Sequence, residues 1–171
     1  GSKKLYDYLT DFGFGKSTGS HLPGESAGLL RPVDDWSGTS LPTFSYGHGY
    51  SVTSLQATSV FATIANDGVR ITPTVVAGTT DASGNYIPAK NQETKRVISA
   101  ETAREIRKML ESVVSANGTA PTAAIPGYRV AGKTGTANRF DSDCSCYSGY
   151  TASFIGFAPA DKPAYVVSVA I

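Results

Sequence analysis

The stretch that decides the fold is Val130-Ala131-Gly132-Lys133-Thr134-Gly135-Thr136-Ala137. Its apolar lead-in, followed by small and polar residues, predicts an extended strand. Two later runs, 150–158 and 164–171, are apolar and rich in β-branched and aromatic residues, and a segment with two prolines separates them. We therefore expect three strands at this end of the sequence, the last two forming an antiparallel pair.

The segments ahead of these strands carry helix patterns. Apolar residues recur at helical spacing from Leu5 to Phe12, before two glycines, which predicts a short first helix. Thr53 and Gln56 fit a capping box, and the mostly apolar helix after them is expected to end at 66–68 and to be buried between other layers. Ser99 is expected to cap an amphipathic helix. Its predicted apolar face comprises Ala103, Ile106, Met109, Leu110, Val113 and Val114, with charges on the other face.

The remaining segments have the composition of connections. Residues 16–50 are rich in Gly, Pro, Ser and Thr and predict a long loop. Residues 69–76 predict an extended segment, and the polar stretch 81–95 predicts an exposed loop or hairpin. The run of Asp, Ser and Gly in 141–148 predicts a mobile loop beside the strand 130–137, with the two cysteines near its tip.

Composition excludes several classes of function. The chain has 15 Lys and Arg against 14 Asp and Glu, a net charge of +1, and no run of five or more basic residues, so nothing indicates nucleic-acid binding. A hydrophobic content of 40% with 17% charged residues is typical of a folded globular domain. No stretch approaches the apolar length of a membrane-spanning helix.

Cys144 and Cys146 stand one residue apart. A zinc site would need further ligands from His21 or His48, roughly a hundred residues away, and the local C-x2-C pairing of such sites is absent, so no metal site is expected. Two alternatives remain open: a loop with two thiols, or a disulfide across one residue, which an oxidising compartment could sustain. No cofactor is implied.

The chemistry of Lys133-Thr134-Gly135 fits the recognition of a carboxylate. An ammonium on a strand attracts the carboxylate, and a neighbouring hydroxyl can donate a hydrogen bond to it. Glycine in the third position removes a side chain that would block a peptide from lying along the strand. The alternative is a tight turn with a solvated lysine.

Five ordered segments carry a resemblance to a known family. They are FGFG at 12–15, LPGESAG at 22–28, YGHGYSVTSLQATSVFATIANDGV at 46–69, VAGKTGTA at 130–137 and YTASFIGFAPADKPAYVVSVAI at 150–171. Together they resemble the class B penicillin-binding proteins, the peptidoglycan transpeptidases of septum formation and elongation, and look closest to the actinobacterial cell-division branch. The resemblance implies an α+β fragment of the serine penicillin-recognising fold, with an antiparallel sheet packed against helices.

The resemblance also implies that residues 1–171 are the C-terminal part of a transpeptidase domain. In that family the S-x-x-K and Ser-x-Asn motifs precede FGFG, so both are expected upstream, and a helix that packs on the sheet is expected downstream. The chain contains no S-x-x-K. Ser115-Ala116-Asn117 matches Ser-x-Asn literally but is interpreted as a helix terminus. We therefore expect no catalytic residue in this chain and no activity from it alone.

The resemblance implies that Lys133, Thr134, Gly135 and Thr136 bind substrate. The intact enzyme would cross-link stem peptides ending in D-Ala-D-Ala by serine acyl transfer and be acylated by β-lactams. It would work with division-complex proteins at the extracytoplasmic face of the bacterial membrane, anchored by an upstream helix. Two alternatives remain: a β-lactamase or carboxypeptidase on the same fold, and a non-enzymatic module that senses β-lactams or docks division proteins.

Overall fold

The computed structural model describes residues 1–89 and 92–171. The described helices are α1 (Ser2–Asp11), α2 (Ser40–Ser45), α3 (Ser54–Ala65) and α4 (Ala100–Glu111). The described strands are β1 (Val69–Ile71), β2 (Gly78–Thr80), β3 (Tyr86–Pro88), β4 (Thr94–Arg96), β5 (Ala131–Asp141), β6 (Cys146–Ala158) and β7 (Tyr165–Ala170). Helices therefore precede a C-terminal sheet, which confirms the α+β prediction.

The C-terminal sheet has three antiparallel strands in the order β5-β6-β7. Its register pairs Lys133 with Ile155 in β5 and β6, and Ile155 with Ser168 in β6 and β7. The predicted antiparallel pair of final strands is therefore confirmed. β5 is an edge strand among the described residues, and this is the strand that carries the sequence 131–137.

The two faces of this sheet differ. One face packs against α3 and α4, where Ile64, Ala131, Phe157 and Ala160 form the buried core. The other face is apolar but open: Val167 and Val169 are 59% and 52% exposed. Within the part of the chain that the structure describes, no helix is long and apolar enough to cross a membrane.

The capping box of α3 forms as predicted. The Thr53 hydroxyl accepts from the backbone N–H of Gln56 at 3.1 Å, and the Gln56 side chain accepts from the backbone N–H of Thr53 at 2.8 Å. The helix ends where expected, with Asn66 as its C-cap. The helix was expected to be buried between other layers, and it packs against β1, β6, β7 and α4, with Ser54 and Ala62 as its exposed residues.

The Ser99 cap of α4 is also confirmed, since its hydroxyl accepts from the backbone N–H of Thr102 at 3.0 Å. Two details of the predicted face are wrong: Met109 is 63% exposed, whereas Arg107 is buried with 8% exposure.

Arg107 is drawn inward by the C-terminal end of α3. Its guanidinium donates to the carbonyls of Ile64 and Ala65, both at 3.2 Å, and pairs with the carboxylate of Asp67 at 2.9 Å. The last carbonyls of a helix lack partners within the helix and carry partial negative charge, so a buried arginine there is stabilised.

The connections are more structured than predicted. The long loop 16–50 includes the short helix α2, and β1 pairs with β4 as a two-stranded ribbon. The predicted hairpin within 81–95 is confirmed as the β2–β3 pair, which begins earlier, at Gly78. Half of the predicted loop 141–148 is strand: Asp141 pairs with Cys146, so only 142–145 form the turn. Cys144 and Cys146 form a disulfide there, which settles the alternatives that the sequence left open.

Candidate functional site

The open edge of β5 presents unpaired backbone groups at Thr136. In the middle strand, Ala152 exchanges both backbone hydrogen bonds with Ile171, each 2.9 Å long. Ala152 is also the register partner of Thr136. Because the N–H and C=O of one strand residue point to the same side, Ala152 cannot also bond to Thr136. The backbone N–H of Thr136 therefore points away from β6, toward the open edge, and by the same alternation so does that of Thr134.

The side chains of Lys133 and Thr134 converge at this edge. The Lys133 ammonium donates to the Thr134 carbonyl at 3.1 Å and to the Thr134 hydroxyl at 3.3 Å. Lys133 is exposed and Thr134 is half-buried. Among the described residues, no carboxylate forms an ion pair with Lys133. The sequence-based placement of both residues on an exposed edge strand is confirmed.

A third group joins this cluster, the hydroxyl of Thr119, 3.2 Å from the hydroxyl of Thr134. An ammonium can only donate, so the Thr134 oxygen accepts from Lys133. If Thr119 also donates to this oxygen, the proton of the Thr134 hydroxyl is left to face outward. The described groups here act together as hydrogen-bond donors, and no carboxylate is among them. Such a set of donors suits an anion.

Sequence reasoning missed Thr119, which lies 15 positions before Thr134. A tight turn places Thr119 next to Thr134. In this turn the backbone N–H of Gly118 donates to the Ser115 carbonyl at 2.8 Å, and the backbone N–H of the buried Ala120 donates to the Val113 carbonyl at 2.9 Å. A Cβ on Gly118 would lie 2.1 Å from the Val113 carbonyl oxygen, so only glycine fits. The signal in the sequence was Asn117-Gly118 just after a helix, a turn pattern that by itself does not say which strand it meets.

The lead-in to β5 is fixed to α4. The Arg129 guanidinium makes two hydrogen bonds to the Glu111 carboxylate, at 2.9 and 2.7 Å, and these raise the pKa of Arg129 above its ordinary value. The Arg129 carbonyl accepts from the backbone N–H of Ala160 at 2.8 Å. The start of the strand is therefore held on both sides, which fixes the position of Lys133 relative to the core.

Glycines at the site have intramolecular reasons. A Cβ on Gly132 would lie 2.4 Å from the ring of Phe154 and 2.8 Å from the carbonyl of Ile155. A Cβ on Gly135 would lie 2.5 Å from the hydroxyl oxygen of Ser153. The sequence-based reason for Gly135, room for a substrate backbone, therefore has a competing explanation within the sheet.

Two Ser-x-Asn tripeptides lie in turns. Ser115-Ala116-Asn117 follows the last helical turn after α4, where the Ser115 hydroxyl donates to the Ser112 carbonyl at 2.7 Å, so its interpretation as a helix terminus is confirmed. Sequence reasoning overlooked Ser83-Gly84-Asn85, which closes the β2–β3 hairpin. There the Asn85 amide donates to the Asp81 carboxylate at 3.0 Å. Among the described residues, neither tripeptide forms a hydrogen bond with Lys133.

Beyond the site, β5 and β6 continue as a projecting hairpin. Phe140 and Tyr147 form an edge-to-face ring pair with centroids 5.7 Å apart, and both side chains are largely exposed. The disulfide between Cys144 and Cys146 closes the tip. The cysteines therefore lie at the tip as the sequence predicted, on a hairpin rather than a long loop.

The penicillin binding protein transpeptidase domain family matches residues 1–171. The penicillin-binding protein PbpB of Mycobacterium tuberculosis is 44% identical over 99% of this chain and 26% of its own length. Stage V sporulation protein D of Bacillus subtilis is 41% identical over 100% of this chain and 27% of its own length. The peptidoglycan D,D-transpeptidase FtsI of Escherichia coli is 35% identical over 99% and 27%.

Solved structures agree. Penicillin-binding protein 3 of M. tuberculosis, crystallised with aztreonam, superposes with a TM-score of 0.95 at 43% identity, over 99% of this chain and 40% of that one. The apo transpeptidase domain of Burkholderia pseudomallei penicillin-binding protein 3 gives 0.85 at 39% identity, over 99% and 49%. The chain spans about a quarter of the length of the curated relatives it matches. It belongs to the penicillin-binding protein transpeptidase domain family.

Proposed function

We propose that this chain supplies the substrate-binding strand of a serine peptidoglycan D,D-transpeptidase. The observation that carries the proposal is the open edge of β5, where the Lys133 ammonium and the hydroxyls of Thr134 and Thr119 face one place without a carboxylate partner. This donor set suits the carboxylate of a stem peptide ending in D-Ala-D-Ala, or that of a β-lactam. Relatives named as D,D-transpeptidases, and solved relatives crystallised with aztreonam or ampicillin, support the same substrates.

The reaction needs a nucleophile that this chain does not supply. A serine, activated by a lysine three positions later, would attack the penultimate D-alanine carbonyl and expel the terminal D-alanine. The acyl group would then pass to an amine of a neighbouring stem peptide, which forms the cross-link and frees the serine. No serine of this sequence stands three positions before a lysine. The chain by itself is therefore expected to form no acyl adduct.

Each site residue has a distinct role in this proposal. Lys133 and Thr134 hold the carboxylate. Gly135 has no side chain, so a substrate backbone can lie close along the strand. The backbone N–H of Thr136, which points toward the open edge, would donate to the developing oxyanion together with that of the serine. A peptide lying along β5 could use the other free backbone groups of this edge, as strand addition does.

The substrate places the enzyme where peptidoglycan is made. We propose that it acts at the extracytoplasmic face of the bacterial membrane, with division proteins as partners. The exposed disulfide between Cys144 and Cys146 fits this location, because disulfides persist in oxidising compartments.

The test is labelling by a fluorescent penicillin of the longer protein that carries the serine. Replacement of Lys133 by alanine removes a charge-assisted contact, which is worth about 1.5 to 3 kcal/mol, so acylation should slow about 10- to 150-fold. Lys162→Ala, in the turn between β6 and β7, is the matched control and should label at the parent rate. Equal labelling of the Lys133 variant and the parent would refute the site.

A further inference from the structure

A polar groove of about 550 Å³ lies between the loop 16–21 and the β1–β4 ribbon. Its lining includes Lys16, Gly19, His21, Arg70, Thr72 and Glu93. β1 packs against α3 and β4 and makes no contact with β5, so the groove is separate from the site at Lys133. Its volume is in the range of small-molecule binding sites, which run from about 300 to 1,000 Å³.

The guanidinium of Arg70 is held in this groove without a counter-ion. It lies against the backbone of Gly13, where a Cβ would come within 2.8 Å of its Nη2 atom. Gly13 has a φ of +101°, so glycine is favoured there for both reasons. The Nε atom of Arg70 is buried and has no hydrogen-bond partner in the described part of the chain. Because Nε has almost no accessible surface, a ligand in the groove would bind the Nη groups of this guanidinium.

Among the described residues, no carboxylate forms an ion pair with Arg70. The Glu25 carboxylate accepts from the Thr18 backbone N–H at 2.8 Å and from the Ser20 hydroxyl at 3.3 Å, inside the loop. These hydrogen bonds, those from Thr18 above all, lower the pKa of Glu25, so it stays ionised and committed to the loop. Glu93 is the one acid among the described lining residues, and it is exposed.

The loop that carries Lys16 is preorganised. The Lys16 carbonyl accepts from the side-chain amide of Gln56 at 2.8 Å, and Gln56 is only 2% exposed. Thr18 and Ser20 are each 4% exposed. The ammonium of Lys16, in contrast, is on an exposed residue and has no partner among the described residues. The groove therefore offers two cations, one of them on a loop whose backbone is held, with a histidine in the same lining.

We propose that this groove binds an anionic small molecule through a carboxylate or phosphate group, held by the planar fork of Arg70 and by the Lys16 ammonium. Two parallel N–H groups of a guanidinium match either oxyanion. The groove is separate from the proposed site of acyl transfer at β5. The result of an anion-binding experiment therefore does not depend on the proposed enzymatic activity.

The test is a titration of the protein, labelled with ¹⁵N at arginine, with sodium phosphate and separately with sodium acetate. At constant ionic strength, the Arg70 Nε–H resonance should shift in a saturable manner with one or both anions. Comparison of the two titrations shows whether the site prefers phosphate or carboxylate. Arg70→Gln should weaken anion binding, measured by calorimetry, by about tenfold or more.

Two further variants complete the test. Lys16→Gln, at an exposed position, should fold normally and weaken binding about two- to fivefold, so the proposal stays testable if the Arg70 variant unfolds. Arg104→Gln, on the exposed side of α4 and outside the groove, should bind as the parent does. The proposal is overturned if chloride at equal ionic strength reproduces the shift, or if the Arg70 and Lys16 variants both bind like the parent.

Discussion

Replacement of Thr119 by valine tests the hydroxyl cluster at the open edge. The change removes the hydroxyl 3.2 Å from Thr134 and keeps the shape of the side chain. Thr119 is exposed, so the free energy of unfolding should change by less than about 0.5 kcal/mol. The variant therefore separates the contribution of the Thr119 hydroxyl to binding from its contribution to stability.

The expected magnitude follows from one neutral hydrogen bond. Such a bond contributes about 0.5 to 1.5 kcal/mol, which corresponds to an acylation rate about two- to twelvefold lower. Lys133 still donates to Thr134 in the variant, so the loss should be smaller than that of Lys133→Ala. Thr119→Ser keeps the hydroxyl and should acylate within about twofold of the parent.

The assay compares benzylpenicillin with its methyl ester, in the longer protein that carries the serine. The ester lacks the anionic carboxylate, so a group that acts through Thr134 on that carboxylate matters less for it. Thr119→Val should therefore slow acylation by the acid more than by the ester. An equal loss with both compounds, or no loss with either, would refute the reasoning about the cluster.

Three other predictions rest on single contacts. Gly132→Ala should lower the free energy of unfolding by about 1 to 3 kcal/mol in urea titrations, because the added Cβ overlaps Phe154 and the Ile155 carbonyl, whereas Gly135→Ala meets only a hydroxyl that can rotate; equal losses would contradict this. Hydrogen bonds lower the pKa of Glu25, so the stability that this carboxylate contributes is complete above its usual pKa of 4.5 and is lost as the pH falls through and below that value. Glu25→Gln should therefore flatten the dependence of the unfolding midpoint on pH in this range. An unchanged profile would speak against the loop contacts. Without a reductant, Cys144 and Cys146 should resist alkylation in mass spectrometry, and reduction should leave the unfolding midpoint nearly unchanged, because both lie exposed at a hairpin tip; alkylation without reduction would rule out the disulfide.

Much of the fold could be predicted because its signals are local. The capping box at Thr53 and Gln56 and the cap at Ser99 each involve residues three positions apart, and the alternation in the final strands needs only the sheet period. The placement of Lys133 on an exposed strand followed from the same kind of pattern. These elements formed as predicted because local preference and tertiary packing agree there.

What failed depends on contacts distant in sequence. Arg107 was predicted to face solvent, but its partners are carbonyls at the end of α3, 42 and 43 positions earlier. Thr119 gave no signal because its importance arises only where a turn brings it to Thr134. The run of polar residues around Asp141 suggested a loop, yet cross-strand pairing extends the hairpin through it. Sequence periodicity indicates which residues could be buried. It does not indicate which distant groups will form the hydrogen bonds that offset the cost of desolvating them.

The most direct test of the account is the structure of the longer protein after acylation by ampicillin. A drug carboxylate oxygen should lie within about 3.2 Å of the Thr134 hydroxyl, with the Lys133 ammonium beside it. The carbonyl oxygen of the acyl bond should also accept a hydrogen bond from the backbone N–H of Thr136. A drug carboxylate bound away from the open edge of β5, with Lys133 and Thr134 untouched, would contradict the assignment of this strand as the substrate-binding strand.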